Sequence, residues 1–376
     1  MSRADLRVRV ADDGRLEVVD PGFDTLDLLQ AIDPSFRVRS APLPGFGTPR
    51  LLRARRTGTG VARADLAAAG TADLWAAHDR ALDTLHQGNG LPCADGEAHL
   101  LDAKVALADR LLTDCVLCAH RCGVDRTRGE RGVCRLGPDA LVAEHFVHIG
   151  EEPPINPSLV LNLAGCGLRC RGCQQHAILD PARAAGRPLD AALWDDLGLA
   201  GARSLSFVGG NPDESLPAAL RFLAAAPPGW PLPVVWNSHA YATPEALALL
   251  DGVVDAYVPD FKHVSEPCAR RYARVAGYPA VAHRSIERML GQGVPVYVRL
   301  LLLPGHAECC HLPALDRLAE LDDRTASGLL HVSIRDQYAP DGTVTERDGP
   351  LARRTTVEET LPVWDRARRL GLQLTE

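Results

Sequence analysis

Six short apolar runs dominate the second half of the chain: LVLNL (Leu159–Leu163), SLSFVGG (Ser204–Gly210), PVVWNS (Pro233–Ser238), AYVPDF (Ala256–Phe261), VYVRLLLL (Val296–Leu303) and LLHVSI (Leu329–Ile334). Each is followed by a helical stretch. These come after a cysteine motif, after Pro212, from Pro244, up to about Leu290, through His311 to Leu321, and from Val357 to about Leu370. Strands that lack polar alternation are buried on both faces, and helices between successive strands make those strands parallel. The pattern predicts an α/β protein built on a buried parallel sheet. Six units fall short of the eight of a closed barrel. A partial (β/α) barrel and a doubly wound sheet are the two architectures left.

In such sheets the site is built at the C-terminal edge of the strands. The uncommon polar residues gather just there: Cys166, then Gly209, Gly210 and Asn211, then Asn237 and Ser238, Asp260 and Lys262, His306, and Gln337. Independent strand–helix units placing their odd residues at one edge is not chance scatter.

The cysteines narrow the chemistry. The chain has 11, an odd number, and seven sit in two tight groups: Cys115, Cys118, Cys122 and Cys134, then Cys166, Cys170 and Cys173. CxxC-type clusters of this kind are thiolate metal sites more often than disulfides. The first group supplies four thiolates and can close a site unaided, on zinc or on an iron–sulfur cluster. The second, NLAGCGLRCRGCQQ, supplies only three. Its soft donors select zinc completed by a distant ligand, or an iron–sulfur cluster with one open position. Cys93 and Cys268 read as passive. GHAECCH (Gly305–His311), with Cys309 and Cys310, lies at an edge facing the site. It reads either as a contact for substrate or cofactor or as a helix start with the cysteines packed against the sheet, and His306 is the residue there that can carry a proton.

A net charge of -7 leaves no electrostatic footprint for nucleic acid or an anionic membrane. No apolar run approaches the ~20 residues that span a bilayer, and the first residues lack the h-region of a signal peptide. The expectation is a cytoplasmic protein that partners neither nucleic acid nor membrane. Of 41 basic residues only Lys104 and Lys262 are lysines. Where a plain positive charge suffices this sequence writes Arg, so a surviving Lys marks a task Arg cannot perform. Residues 1–100 form a separate region of unknown role. It holds alternating strands (Leu6 to Val10, Leu16 to Val19), the string PLPGFGTPRLLRARR, whose arginine run reads as solvated surface, and a helix near Asp65 to His86. A Cys-rich metal-binding segment, 101–150, separates it from the barrel, 151–376. In EEPPIN (Glu151–Asn156) the proline pair sets an extended entry into the first strand.

The CxxxCxxC spacing on the loop after the first strand of a six-fold βα series resembles the radical SAM superfamily signature. FVGGNP sits where that superfamily has its GGE motif, with Asn211 in place of the acid. The string VVWNSHAYATPEALALLDGVVDAYVPDFKH, with VRLLLLPGH and SIRDQYAPDG, resembles the pyruvate formate-lyase activating enzyme-like group of that superfamily, over roughly residues 110 to 345. The resemblance implies a partial (β/α)6, TIM-barrel-like fold with an N-terminal extension. It implies a [4Fe–4S] cluster on Cys166, Cys170 and Cys173, whose open iron takes S-adenosylmethionine. One electron from a flavodoxin- or ferredoxin-type donor would cleave that cofactor to a 5′-deoxyadenosyl radical, which abstracts hydrogen from substrate. It places Gly209, Gly210, Asn211, Asn237 and Ser238 around the cofactor, with Asp260 and Lys262 beside it in catalytic positions or, on the blander reading, paired with each other. Arg299 and Gln337 are inward barrel polars that either meet the cofactor or satisfy each other, and His306 is a catalytic candidate from its place near the site. The residue before the third cysteine is often aromatic in this superfamily, whereas here it is Gly172. The substrate is a protein, a peptide or a small metabolite, with a glycyl-radical-enzyme activase as one version. A non-catalytic zinc or iron–sulfur electron carrier is the alternative from another class.

Overall fold

A computed structural model of the chain describes residues 8–10, 16–18, 41–43, 47–88, 92–199, 201–341 and 344–375. All six apolar runs are strands. They are β2 (Ser158–Leu163), β3 (Ser204–Gly209), β4 (Val234–Ser238), β5 (Ala256–Pro259), β6 (Val296–Leu301) and β7 (Leu330–Arg335), preceded by β1 (Leu141–His148). β2 through β7 pair in parallel and in sequence order, so each crossover steps the same way around a partial (β/α)6 barrel. A doubly wound sheet would reverse its order midway, and this one does not. β1 lies antiparallel along the outer side of β2, followed by the two-residue strand Arg187–Pro188. β1 was not anticipated, because His and Glu interrupt its apolar residues.

Every residue of β2, β4 and β5 is buried, which explains their unbroken apolar character. Four helices cover the outer face: α3 (Leu216–Ala224), α4 (Pro244–Leu250), α5 (Tyr278–Gly291) and α6 (Leu312–Thr325). Pro lies in the first turn of each, where its missing N–H costs no helical bond. Thr243 caps α4, its hydroxyl accepting the Ala246 N–H at 3.2 Å. The expected helix after the cysteine motif is absent among the described residues. That crossover's only helical pieces among the described residues are the 3₁₀ turns His176–Ile178 and Ala191–Asp195, in a stretch broken by Pro181, Gly186, Pro188 and Gly198. The last helix, Val357–Arg369, opens on a Thr356/Glu359 capping box.

Upstream, Val8–Val10 pairs with Leu16–Val18, while Leu6 and Val19 lie outside the described residues. Helices α1 (Thr71–His86) and α2 (Leu100–Arg110) pack against the barrel within one hydrophobic core running from Leu51 to Leu372. The arginine run is not simply solvated surface. Arg50–Ala54 is a short helix with Leu51 and Ala54 fully buried. Its Arg50 donates to Gln292 O at 2.9 Å, Arg53 to Leu85 O at 2.7 Å, and the following Arg55 to Ala224 O. Buried Asp255 accepts the Arg50 and Val234 backbone N–H groups at 3.0 and 2.8 Å, seating this helix on the base of the barrel. No helix among the described residues is long and apolar enough to cross a membrane.

Candidate functional site

A cavity of about 320 Å³ opens at the C-terminal ends of the barrel strands. Cys166, Cys170 and Cys173 line it on the loop after β2. Gly209, Gly210 and Asn211 come from the end of β3, Asn237 and Ser238 from β4, Asp260 and Lys262 from β5, Arg299 from β6, and Gln337 from beyond β7. The sequence thus named residues from every strand end, and the fold brings them to one space. His306 is the exception. It is 3% exposed and lies behind the cavity wall, Nδ1 against Pro304 O at 2.8 Å and its ring edge-on to Tyr272 at 4.8 Å. Tyr272 and His263 line the cavity in its place, together with His148, His239, Arg335 and Tyr338.

Two glycines let the strand ends close up. A Cβ on Gly209 would run into the backbone of Leu163, and one on Gly210 into the carbonyl of Gly165. Gly209 also has φ +104°, which a side chain would strain. Gly172, at φ +69°, faces Tyr338, whose hydroxyl lies 2.8 Å from where its Cβ would be. Tyr338 donates to Leu351 O at 2.9 Å and holds its ring against the cysteine loop. An aromatic ring therefore does stand at the third cysteine, supplied from beyond β7.

The Asp260–Lys262 turn is a tight unit. Lys262 Nζ lies 2.5 Å from Asp260 Oδ2. The Tyr278 hydroxyl donates to Asp260 O at 2.7 Å and accepts the Lys262 N–H at 3.1 Å. Burial opposes charge on Lys262, but Asp260 and Cys170 outweigh it and hold the ammonium protonated above its ordinary range. Burial pushes the Cys170 thiol up to about 11, despite the attraction of Lys262, and burial beside Glu214 holds Cys166 well above its ordinary range. Bare, these thiols are neutral at pH 7, the wrong state for a cysteine nucleophile; a coordinating metal ion deprotonates a thiol outright.

Arg299 is held on several sides. Its Nε donates to Glu152 Oε1 at 2.8 Å, and Nη2 to Glu152 Oε2 at 2.7 Å and to Glu151. The hydrogen-bond pattern orients Asn237 with its oxygen 2.9 Å from Arg299 Nη1 and its nitrogen toward Val258 O. Arg335 also bonds Glu152, at 2.7 Å, and His148 bonds Glu151, at 2.7 Å. Burial opposes ionisation of both glutamates, but Arg299 outweighs it and their carboxyls fall below the usual range. The sequence reading took EEPP only as a strand entry. What it lacked was the burial of Glu152, which is 0% exposed.

The cysteine quartet packs directly behind the three-cysteine loop. Cys118 pairs with Ala242 in a one-residue antiparallel β-bridge, and the Ala119 N–H donates to Tyr241 O at 2.9 Å. His120 Nε2 is 2.8 Å from Gly167 O, and Arg126 donates to Glu214 O at 2.8 Å. Between the two sets sits Glu214, fully buried, accepting the Gly167 N–H at 2.8 Å and the Asn211 amide at 2.5 Å. The acid missing at Asn211 is present three residues later, turned into the protein. Burial and Glu214 together raise the thiol pKa of Cys118 and Cys134, the latter to about 11.

No protein-family model matches the chain. Among solved structures it is similar to SuiB of Streptococcus suis, at 14% identity and a TM-score of 0.36, covering 57% of this chain and 46% of that one. SuiB bound to S-adenosylmethionine aligns with a TM-score of 0.37 at the same identity, covering 56% and 47%. The chain thus spans just under half the length of these proteins. A domain of a pyruvate-formate lyase-activating enzyme from Bacteroides vulgatus aligns at 14% identity and a TM-score of 0.29, covering 38% of this chain and 80% of that one. In sequence, the uncharacterized protein MJ0674 of Methanocaldococcus jannaschii is 30% identical over 313 residues, 80% of this chain and 89% of the relative. That identity, over nearly the whole of the relative, is a family relationship: the chain belongs to the family of the Methanocaldococcus jannaschii protein MJ0674.

Proposed function

We propose that the cavity is the active site of a radical SAM enzyme, with a [4Fe–4S] cluster on Cys166, Cys170 and Cys173 and S-adenosylmethionine beside it. The carrying observation is the convergence of three soft thiolates and residues from five further strand ends on one cavity. The site fits the group. Its donors are all thiolates, and Gly209 and Gly210 present bare backbone at the closest approach of two strands. When bound, the pair supplies a one-electron cleavage of a carbon–sulfur bond that initiates hydrogen abstraction from substrate.

The chain's own residues divide the remaining work. The backbone at Gly209–Asn211, with Asn237 and Ser238, binds the amino acid part of the cofactor. Tyr338, its hydroxyl edge against Gly172, lines the cavity beside the third cysteine, where the base would lie. Lys262 is a fixed cation, because its 2.5 Å pair with Asp260 keeps the proton on Nζ. Arg299, anchored by Glu151 and Glu152, sets Asn237 rather than reaching freely into the cavity. The quartet holds a second metal centre, zinc or iron–sulfur. The substrate is a protein, a peptide or a small metabolite, and the reductant a flavodoxin- or ferredoxin-type protein. A non-catalytic electron carrier would need no cavity of this kind.

The test is anaerobic reconstitution with iron and sulfide, then reduction with dithionite and addition of S-adenosylmethionine. We expect 5′-deoxyadenosine from the native chain and none from Cys170→Ala. Absence of the product while electron paramagnetic resonance shows a reduced cluster would sink the reading.

A further inference from the structure

Cys268, Cys309 and Cys310 belong to neither cysteine set; from the sequence alone only Cys268 of the three reads as passive. The fold brings them together from two separate loops. Cys268 closes the short helical stretch Glu266–Cys268 after β5, and Cys309 and Cys310 lie on the turn Ala307–His311 that leads into α6. Cys268 Sγ is 3.7 Å from Cys309 Sγ, Cys309 Sγ is 4.0 Å from Cys310 Sγ, and all three sulfurs lie within 4.8 Å of one another. His263 Nδ1 is 3.9 Å from Cys310 Sγ, on the side facing the cavity that His263 lines.

We propose that Cys268, Cys309 and Cys310 form a third metal site, binding one zinc-class ion on three thiolates, with the His263 imidazole beside Cys310 but outside the group of sulfurs. A tetrahedral ion bonded to sulfur at about 2.3 Å sets its thiolates roughly 3.8 Å apart; two of the sulfur pairs, at 3.7 and 4.0 Å, already hold that spacing, and the third lies within 4.8 Å. A disulfide needs its sulfurs at about 2.05 Å, and three thiols cannot all pair. Cysteines that act as small core hydrophobes are buried. Cys310 is, but Cys309 is exposed and Cys268 half-buried, so core filling does not account for the group. A thiolate set is donor chemistry suited to zinc. The ligands are supported from outside: backbone amides of Val264 and Ser265 face Cys310, and the Ser265 hydroxyl accepts the Cys268 N–H at 3.5 Å.

The ion would staple the loop after β5 to the loop after β6. The β5 loop carries His263 and Tyr272 into the cavity wall and accepts the Arg171 N–H of the cysteine loop at Tyr272 O, 2.7 Å, so the site sets the shape of that wall and bears on the Cys166–Cys170–Cys173 loop through this one segment. Nothing in this depends on the radical reading, and the measurement below is made without iron.

The test uses the full chain, stripped of metal by a chelator and titrated with Co²⁺, whose thiolate charge-transfer absorption counts sulfur-bound ions. Cys268→Ser and Cys310→Ser should each take up one equivalent fewer than the native chain, whereas Cys93→Ser should match it. His263→Asn, beside the sulfurs but not one of the ligands, should keep the equivalent. Unchanged stoichiometry in both cysteine variants would overturn the proposal, as would a Cys268–Cys309 disulfide in anaerobically purified protein. A second measurement needs no variant: added Zn²⁺ should slow iodoacetamide alkylation of exposed Cys309 several-fold, read by peptide mapping. Equal rates with and without Zn²⁺ would also overturn it.

Discussion

Gly172 and Tyr338 share one position at the third cysteine. The glycine is visible in the sequence, but its partner is not, because Tyr338 arrives from the far side of the barrel and no local pattern links the two. The contact is checkable by a double-mutant cycle. Gly172→Ala carries the strain of φ +69° and a close contact with the Tyr338 hydroxyl, and should cost about 2 kcal/mol or more in chemical denaturation. In a Tyr338→Phe background the nearest atom is gone, and the penalty should shrink by about 1 kcal/mol. Equal penalties in both backgrounds would mean the two side chains do not meet. Lys262 shows the opposite balance. Its rarity in an arginine-rich chain singled it out, and the structure seats it at the cavity. His306 was singled out by its place in a loop, but the loop turns its ring into the wall.

At the level of elements, the strands were legible because burial on both faces leaves an unbroken apolar run. The piece between β2 and β3 was not, since a cysteine loop and 3₁₀ turns carry no period. Lys104 belongs to this scale, because it joins three helices. It is fully buried on α2, its Nζ 2.8 Å from His78 Nε2 on α1 and 3.1 Å from Ala248 O on α4. Burial drives its pKa down to about 7, from an ordinary 10.5, and holds His78 down to about 2. An arginine could not shed its charge there. Between pH 7 and 10.5 the unfolded chain therefore binds more protons than the folded one, so this group makes stability rise with pH. The slope is at most about 1.4 kcal/mol per pH unit. Lys104→Met should flatten that rise in urea denaturation run from pH 7 to 10. A variant that keeps the native slope would show that Lys104 is charged when folded.

For the whole molecule, the barrel is incomplete and its first and last parallel strands do not pair. The acidic pair Glu151–Glu152, at the entry to β2, reaches across to Arg299 on β6 and Arg335 on β7, with His148 of β1 on the near side. Charge joins the strands where hydrogen bonding stops. Both carboxyls sit below their ordinary range, so their contribution is fully present above about pH 4.5 and is lost as pH falls through the depressed values. Glu152→Gln breaks a buried pair and should cost about 3–5 kcal/mol at neutral pH. It should also weaken the acid dependence of unfolding, followed by circular dichroism from pH 7 to 3. The order of the strands was readable from the chain; this bracing was not, because nothing in the residues around Glu152 marks it as fully enclosed.

Glu214 has a consequence for anyone who would cut this protein down. Its carboxylate holds Gly167 and Asn211 on one side, while Arg126 of the quartet loop holds its carbonyl on the other. A shortened chain starting at β1 would keep every barrel strand and all three cavity cysteines. It would nonetheless remove Arg126 from the Glu214 carbonyl and His120 from Gly167 O, and lay open the floor beneath Gly167. The portion that looks sufficient for the chemistry is not self-standing, and dissection into parts should fail first at this point.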